Sequence, residues 1–120
     1  MKARINITQR MLNKSIIDAN KSVVAFFREY QPELGYDFID NGGKNTLVAY
    51  YDDGHQYTST SIRLYRRPRG DKLLSVQGLT KRAKASDVMT FEHVQETEKS
   101  SWIIVRLELG EPPKEINLIE

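Results

Sequence analysis

The stretch Ser61-Ile62-Arg63-Leu64-Tyr65-Arg66-Arg67-Pro68-Arg69-Gly70-Asp71-Lys72 sets four arginines, one lysine and a tyrosine close together. An arginine fork pairs in a bidentate way with phosphate oxygens or with guanine O6 and N7, whereas lysine acts as a flexible point charge on phosphate. Pro68 stiffens the stretch and cuts the entropy lost when it is ordered. A second basic group, Lys2, Arg4, Arg10 and Lys14, stands with no acid among residues 1–14. Residues 1–14 carry +4, and residues 61–84, where Lys81, Arg82 and Lys84 join the cations against Asp71 alone, carry +7. The net charge is only +2, so the remainder carries −9. A near-neutral chain divided in this way has the charge pattern of a polyanion-binding face. The same charges mixed in space would make no more than a solvated surface.

Catalytic chemistry has little to draw on. His55 and His93 stand alone, with no second histidine or cysteine at metal-ligand spacing. The chain has 0 cysteines, which removes disulfides, thiolate metal sites and a cysteine nucleophile. No serine sits in a glycine-flanked elbow, and no glycine-rich phosphate loop follows a strand pattern. Metal-dependent nucleases often set a carboxylate two residues before a lysine, and no lysine here has one. Asp52-Asp53 has the chemistry for a hard cation, yet beside Gly54 the pair reads as a hairpin turn. No catalytic residue, metal or cofactor is therefore expected.

The elements that would carry these residues are mostly strands. Ala3 to Thr8 alternates apolar and polar, the period of a half-buried strand. Val23, Val24, Phe27 and Tyr30 recur at helical spacing behind Asn20, a side chain suited to accept backbone N–H bonds, so the principal helix is expected over 20–30, closed by Gln31-Pro32. Tyr36 to Ile39 reads as a short strand and Asn41-Gly42-Gly43 as a turn. Thr46–Tyr51 and Gln56–Tyr65, joined at Asp53-Gly54, read as an antiparallel pair. Arg66 to Asp71 should be an exposed loop, because Pro68 lacks a donor and Gly70 packs nothing. Leu73 to Leu79 reads as a turn or two of helix. Asp87–Glu92 and Ser101–Leu107 read as a closing strand pair, joined by the polar stretch 95–100. At 120 residues one domain is expected, spanning 1–110, with an extended tail over 111–120 around Pro112-Pro113. No apolar run is long enough for a membrane span and Met1-Lys2-Ala3-Arg4 leads into alternation, so no membrane partner and a cytoplasmic location are expected.

The order of these motifs is familiar. An alternating strand followed by Thr8-Gln9-Arg10, then Asn13, Ile16-Ile17, Phe26-Phe27, Gly42-Gly43, Asp52-Asp53-Gly54, Thr60-Ser61-Ile62, Arg67-Pro68-Arg69-Gly70 and Asp87-Val88-Met89-Thr90-Phe91-Glu92 resembles the DNA-binding pseudobarrel family. This comprises the EcoRII-type amino-terminal effector domains of restriction endonucleases and the plant B-three domains. The resemblance spans residues 3 to 107 and rests on order and spacing. The chain departs from it at Ser61, where the family often has aspartate, and at Ser86, where it often has glycine. The resemblance implies a mainly β fold, a seven-stranded open barrel with one principal helix and a second short one. It also implies two arms laid in the DNA major groove, mapping to Thr8–Lys14 and Thr58–Lys72. On that footing Arg4, Lys14, Lys72 and Lys81 are expected on phosphates and Arg10, Arg66, Arg67 and Arg69 on base edges. Thr8, Gln9, Asn13, Thr58, Thr60, Arg63 and Tyr65 complete the expected DNA-binding set. Double-stranded DNA is the expected partner, with any nuclease activity in a separate domain or subunit. The rival reading is a small β-barrel interaction module of a mobile element, meeting RNA or an acidic protein.

Overall fold

Alternation decides most of the backbone. In the computed structural model, which describes residues 2–30, 32–95 and 101–108, Ala3, Ile5 and Ile7 are buried while Lys2, Arg4 and Asn6 face outward. Residues Lys2–Asn6 form β1. The same period produces β3 (Lys44–Asp52) and β4 (Tyr57–Arg66), paired antiparallel from Lys44↔Tyr65 to Asp52↔Tyr57. β6 (Val88–Gln95) and β7 (Ser101–Glu108) form the expected closing pair. With β2 (Ile17–Asp18) and β5 (Lys72–Val76) they make one seven-stranded mixed sheet, in the order β1-β6-β7-β3-β4-β5-β2, which curls into a half-barrel. The β3–β7 pair is parallel and every other pair antiparallel.

The expected helix is α2 (Lys21–Tyr30), with Asn20 accepting the Val23 N–H at 3.0 Å as its cap. The same side chain donates to the Arg4 carbonyl at 2.8 Å, so the cap also ties α2 to the open edge of β1. Val23, Phe26 and Phe27 turn inward, and Phe26 and Phe27 pack against Phe91 with ring centroids 6.2 and 5.8 Å apart. These aromatics fill the core, each worth about 1.5–3 kcal/mol in burial.

Two expectations give way. Tyr36 to Ile39 is a 3₁₀ turn (Tyr36–Phe38) and no strand, preceded by another at Pro32–Leu34. Tyr36 and Ile39 are buried at the three-residue spacing of such a turn, and the Tyr36 hydroxyl donates to the Leu73 carbonyl at 2.7 Å. Leu73 to Leu79 is mostly strand. In β5 the successive residues Leu73 and Leu74, which point to opposite faces, are both buried along with Val76, and a strand covered on both faces loses the alternation that marks it. Only Leu79–Arg82 is helical, as α3. The expected hairpin at Asp53-Gly54 is present; its connection runs over Asp53-Gly54-His55-Gln56, with Gly54 at φ +91° and the Asp53 N–H bonded to the Gln56 carbonyl. The expected 95–100 connection beyond Gln95 and the 111–120 tail lie outside the described residues.

The first expected arm holds a helix that periodicity does not reveal. In α1 (Gln9–Lys14) Thr8 accepts the Met11 N–H at 3.2 Å, and Ser15 ends the helix at φ +55°. β1 and β2 are the two edges of the half-barrel, so α1 lies in the chain that crosses from one edge to the other.

Candidate nucleic-acid interface

The β4–β5 loop begins where the ladder ends, at the pair Arg66↔Lys72. It closes on its own backbone. The Arg67 N–H donates to the Asp71 carbonyl at 2.9 Å and the Gly70 N–H to the Arg67 carbonyl at 2.7 Å. That closure needs Gly70 at φ +94°, a region side chains disfavour. The loop is thus closed without using its side chains. Arg67 and Arg69 are exposed, and Arg69 reaches Asp71 at only 3.7 Å, a surface pair worth about 0–1 kcal/mol.

Across a cleft of about 180 Å³ Arg67 meets the amino-terminal arm: Thr8, Arg10, Met11, Lys14, Ile16 and Asp18 form the other walls. The two basic segments, far apart in sequence, thus share one site. Arg10 and Lys14 lie one helical turn apart on α1 and are both exposed. Gln9 donates to Asn13 at 2.9 Å, so these two expected contacts form an exposed amide pair on the same helix.

Arg66 departs from expectation. Its guanidinium turns inward, donating from Nη1 to the carbonyls of Tyr36 at 3.3 Å and Ile39 at 3.2 Å, so it clamps the 3₁₀ turn and does not reach for a base. Thr60 is likewise withdrawn. It is buried on the inner face of β4 and donates to the Gln77 carbonyl at 3.0 Å, and Thr58 stands half-buried in the same inward alternation. Arg63 faces outward on β4 and shares a shallow cleft with Ser61, Ser75 and Gln77. Next to it Tyr65 is half-buried. Desolvation pushes its hydroxyl up, but bonds to Ser75 and Arg63 and the charges of Arg63 and Lys44 outweigh that and lower it below the ordinary tyrosine value.

The other expected cations divide between two places. Lys72 lines a groove with Asn20, Lys21, Arg28 and Gly70, and Arg4 adjoins it through the Asn20 cap. Lys81 is exposed on α3, which touches α1. Two further cations that sequence reasoning did not single out line these clefts. Lys21 stands alone in its stretch, and only the packing of α2 beside the β4–β5 loop sets it near Lys72. Arg82 stacks over the Tyr51 ring at 4.3 Å, a contact between residues with no spacing relation.

Among the described residues no three His, Asp or Glu side chains gather in a group that could hold a metal ion. Asp52 Oδ1 accepts the Gly54 N–H, and Asp53 Oδ1 accepts those of His55 and Gln56 at 2.8 Å each. Arg106 donates to Asp52 at 2.9 Å and pairs with Glu92. His93 packs edge-on against Tyr30 at 4.4 Å, and burial lowers its imidazole below the ordinary value. No described helix is long and apolar enough to cross a membrane. Comparison with protein-family models, curated proteins and solved structures finds no match.

Proposed function

We propose that this chain binds double-stranded DNA in a sequence-specific way, as a recognition domain of the pseudobarrel type that lays two basic arms into the major groove. The observation that carries the reading is the shared cleft of α1 and the β4–β5 loop, where Arg10, Lys14 and Arg67 converge. Among the described residues Arg10, Lys14 and Arg67 make no ion pair, although Asp18 lines the same cleft, and a polyanion relieves the repulsion left among the three cations. Arg67 and Arg69 stand on a short loop closed by its own hydrogen bonds, which suits a bidentate fork aimed at guanine. Arg10 adds a second fork. Lys14, Lys72, Lys81 and Arg4 suit phosphates, to which Lys21 is added, while Arg66, held on the Tyr36 and Ile39 carbonyls, leaves the base-edge set.

In this reading the chain supplies recognition, and cutting of DNA, where it occurs, belongs to a separate nuclease domain or subunit in the cytoplasm. An electrophoretic shift with a random duplex library, followed by sequencing of the bound fraction, should return one enriched short motif. About six phosphate contacts give a slope near −5 for log K against log salt, at about −0.9 for each. A bound fraction without a motif, or an affinity indifferent to salt, would overturn the reading and leave the basic face to RNA or an acidic protein.

A further inference from the structure

A second cleft, of about 420 Å³, opens where α3 faces β3 and β4, lined among others by Tyr51, Ser59, Gln77, Lys81 and Arg82. Tyr51 is 3% exposed and its hydroxyl is buried with no hydrogen-bond partner among the described residues. Arg82 lies over its ring at 4.3 Å. Stacking on an aromatic face holds the planar fork in one orientation while its N–H donors stay available at the edge. Lys81 stands beside it in the sequence, and neither cation has an ion-pair partner among the described residues. Among the described residues no carboxylate lines the cleft. Asp53, whose carboxyl feels the Arg82 charge, is engaged by the His55 and Gln56 amides. The Thr60 hydroxyl is spent on the Gln77 carbonyl.

We propose that this cleft seats a phosphate group of a nucleotide or nucleic-acid chain, held by Lys81 and the stacked Arg82 with neutral donors from Ser59 and Gln77 at its rim. A guanidinium and an ammonium, joined by hydroxyl and amide donors and no acceptor charge, suit an anion with several oxygens. The cleft is far larger than one phosphate, which leaves room for the sugar it is attached to. Gln77 also lines the neighbouring cleft of Arg63, and α3 touches α1, so the seat continues the basic surface. Its chemistry stands alone, while DNA as its natural occupant rests on the function proposed above.

The test titrates the ¹⁵N-labelled chain with inorganic phosphate at constant ionic strength. Saturable shifts at the Gln77, Gly78, Lys81 and Arg82 amides are expected, abolished in Arg82→Gln and weakened several-fold in Arg82→Lys, which keeps the charge and loses the fork. Unchanged shifts at Phe91 and Val105 report an intact fold in each variant. In a second arm, Arg82→Gln should reduce the salt slope on the selected duplex by about one, with the selected motif unchanged. Saturable shifts without any selected duplex would uphold the seat for a free phosphorylated molecule and sink the DNA reading alone. Shifts that never saturate, spread over all cations and persist in Arg82→Gln, would sink the seat even where a duplex motif is selected.

Discussion

The two loops at the ends of β4 solve the same problem in opposite ways. At the β3–β4 end, side chains satisfy the turn: Asp52 and Asp53 accept its amides, and Arg106 from β7 ties Asp52 to Glu92. At the β4–β5 end the backbone satisfies itself, through Arg67 to Asp71 and Gly70 to Arg67. The first loop consumes its charges in holding its shape. The second closes through its backbone, and so leaves Arg67 exposed and Arg69 with only the 3.7 Å surface contact to Asp71. An arginine in a loop is thus informative about binding only once the donors that close the loop are known. Arg66 and Arg67 make the point as neighbours, since one clamps two carbonyls and the other faces a cleft.

Exchanging the roles of those neighbours tests the contrast most severely. Arg66→Met should cost about 2 kcal/mol of stability, because two carbonyls lose a charged donor. Urea denaturation checks it: the midpoint should fall with the slope unchanged. Arg67→Ala should leave the midpoint within about 0.5 kcal/mol of its original value. It should instead lose about 1–3 kcal/mol on the preferred duplex and relax discrimination at one or two base positions, read by competition titration against single-base variants. If Arg67→Ala weakens every duplex equally, the loop grips only backbone. If Arg66→Met spares the midpoint, the clamp is idle and the two arginines are not different in kind.

Lys14→Ala carries a smaller effect. It should weaken all duplexes alike and flatten the salt slope by about 0.9, leaving the preference profile intact. Titrations at two salt concentrations decide this, and a changed profile would move Lys14 from phosphate to base.

The smallest effect belongs to the other loop. The Gly54 amide, and then Arg106, hold Asp52 below the ordinary carboxylate value of 3.8, and the Gln56 and His55 amides do the same for Asp53. A carboxyl with a depressed folded pKa adds stability that is fully present above the unfolded value and is lost as pH falls through the folded one. Stability should therefore decline on the acid side of about pH 4, and Asp52→Asn should flatten that limb while Arg67→Ala leaves it unchanged. Thermal melts across pH 2–6 read the difference. An acid limb identical in all three proteins would mean that the hairpin carboxylates do not support the fold.

Much of this was legible before any coordinates. Ala3-Arg4-Ile5 and Ser61-Ile62-Arg63-Leu64 alternate because one face of a strand meets the core and the other meets water, and that period needs no partner to be seen. Asn20 marked a helix start for an equally local reason, its side chain bonding a backbone group three residues on. The two basic segments, the absence of cysteine and the β3–β4 turn were readable for the same cause. Sequence by itself thus determined which residues alternate, where the main helix starts and which stretches are cationic.

Contacts across the fold were another matter. β5 hid its strand because Leu73 and Leu74, on its opposite faces, are both buried along with Val76. Six residues of α1 were too few to show a period. Only the tertiary structure turned Arg66 inward, buried Thr60, stacked Arg82 on Tyr51 and brought Arg67 to Arg10 and Lys14. The physical reason is that a side chain's role depends on which unsatisfied donors and acceptors surround it. Those neighbours come from strands and turns that the sheet order, and not the chain order, sets side by side.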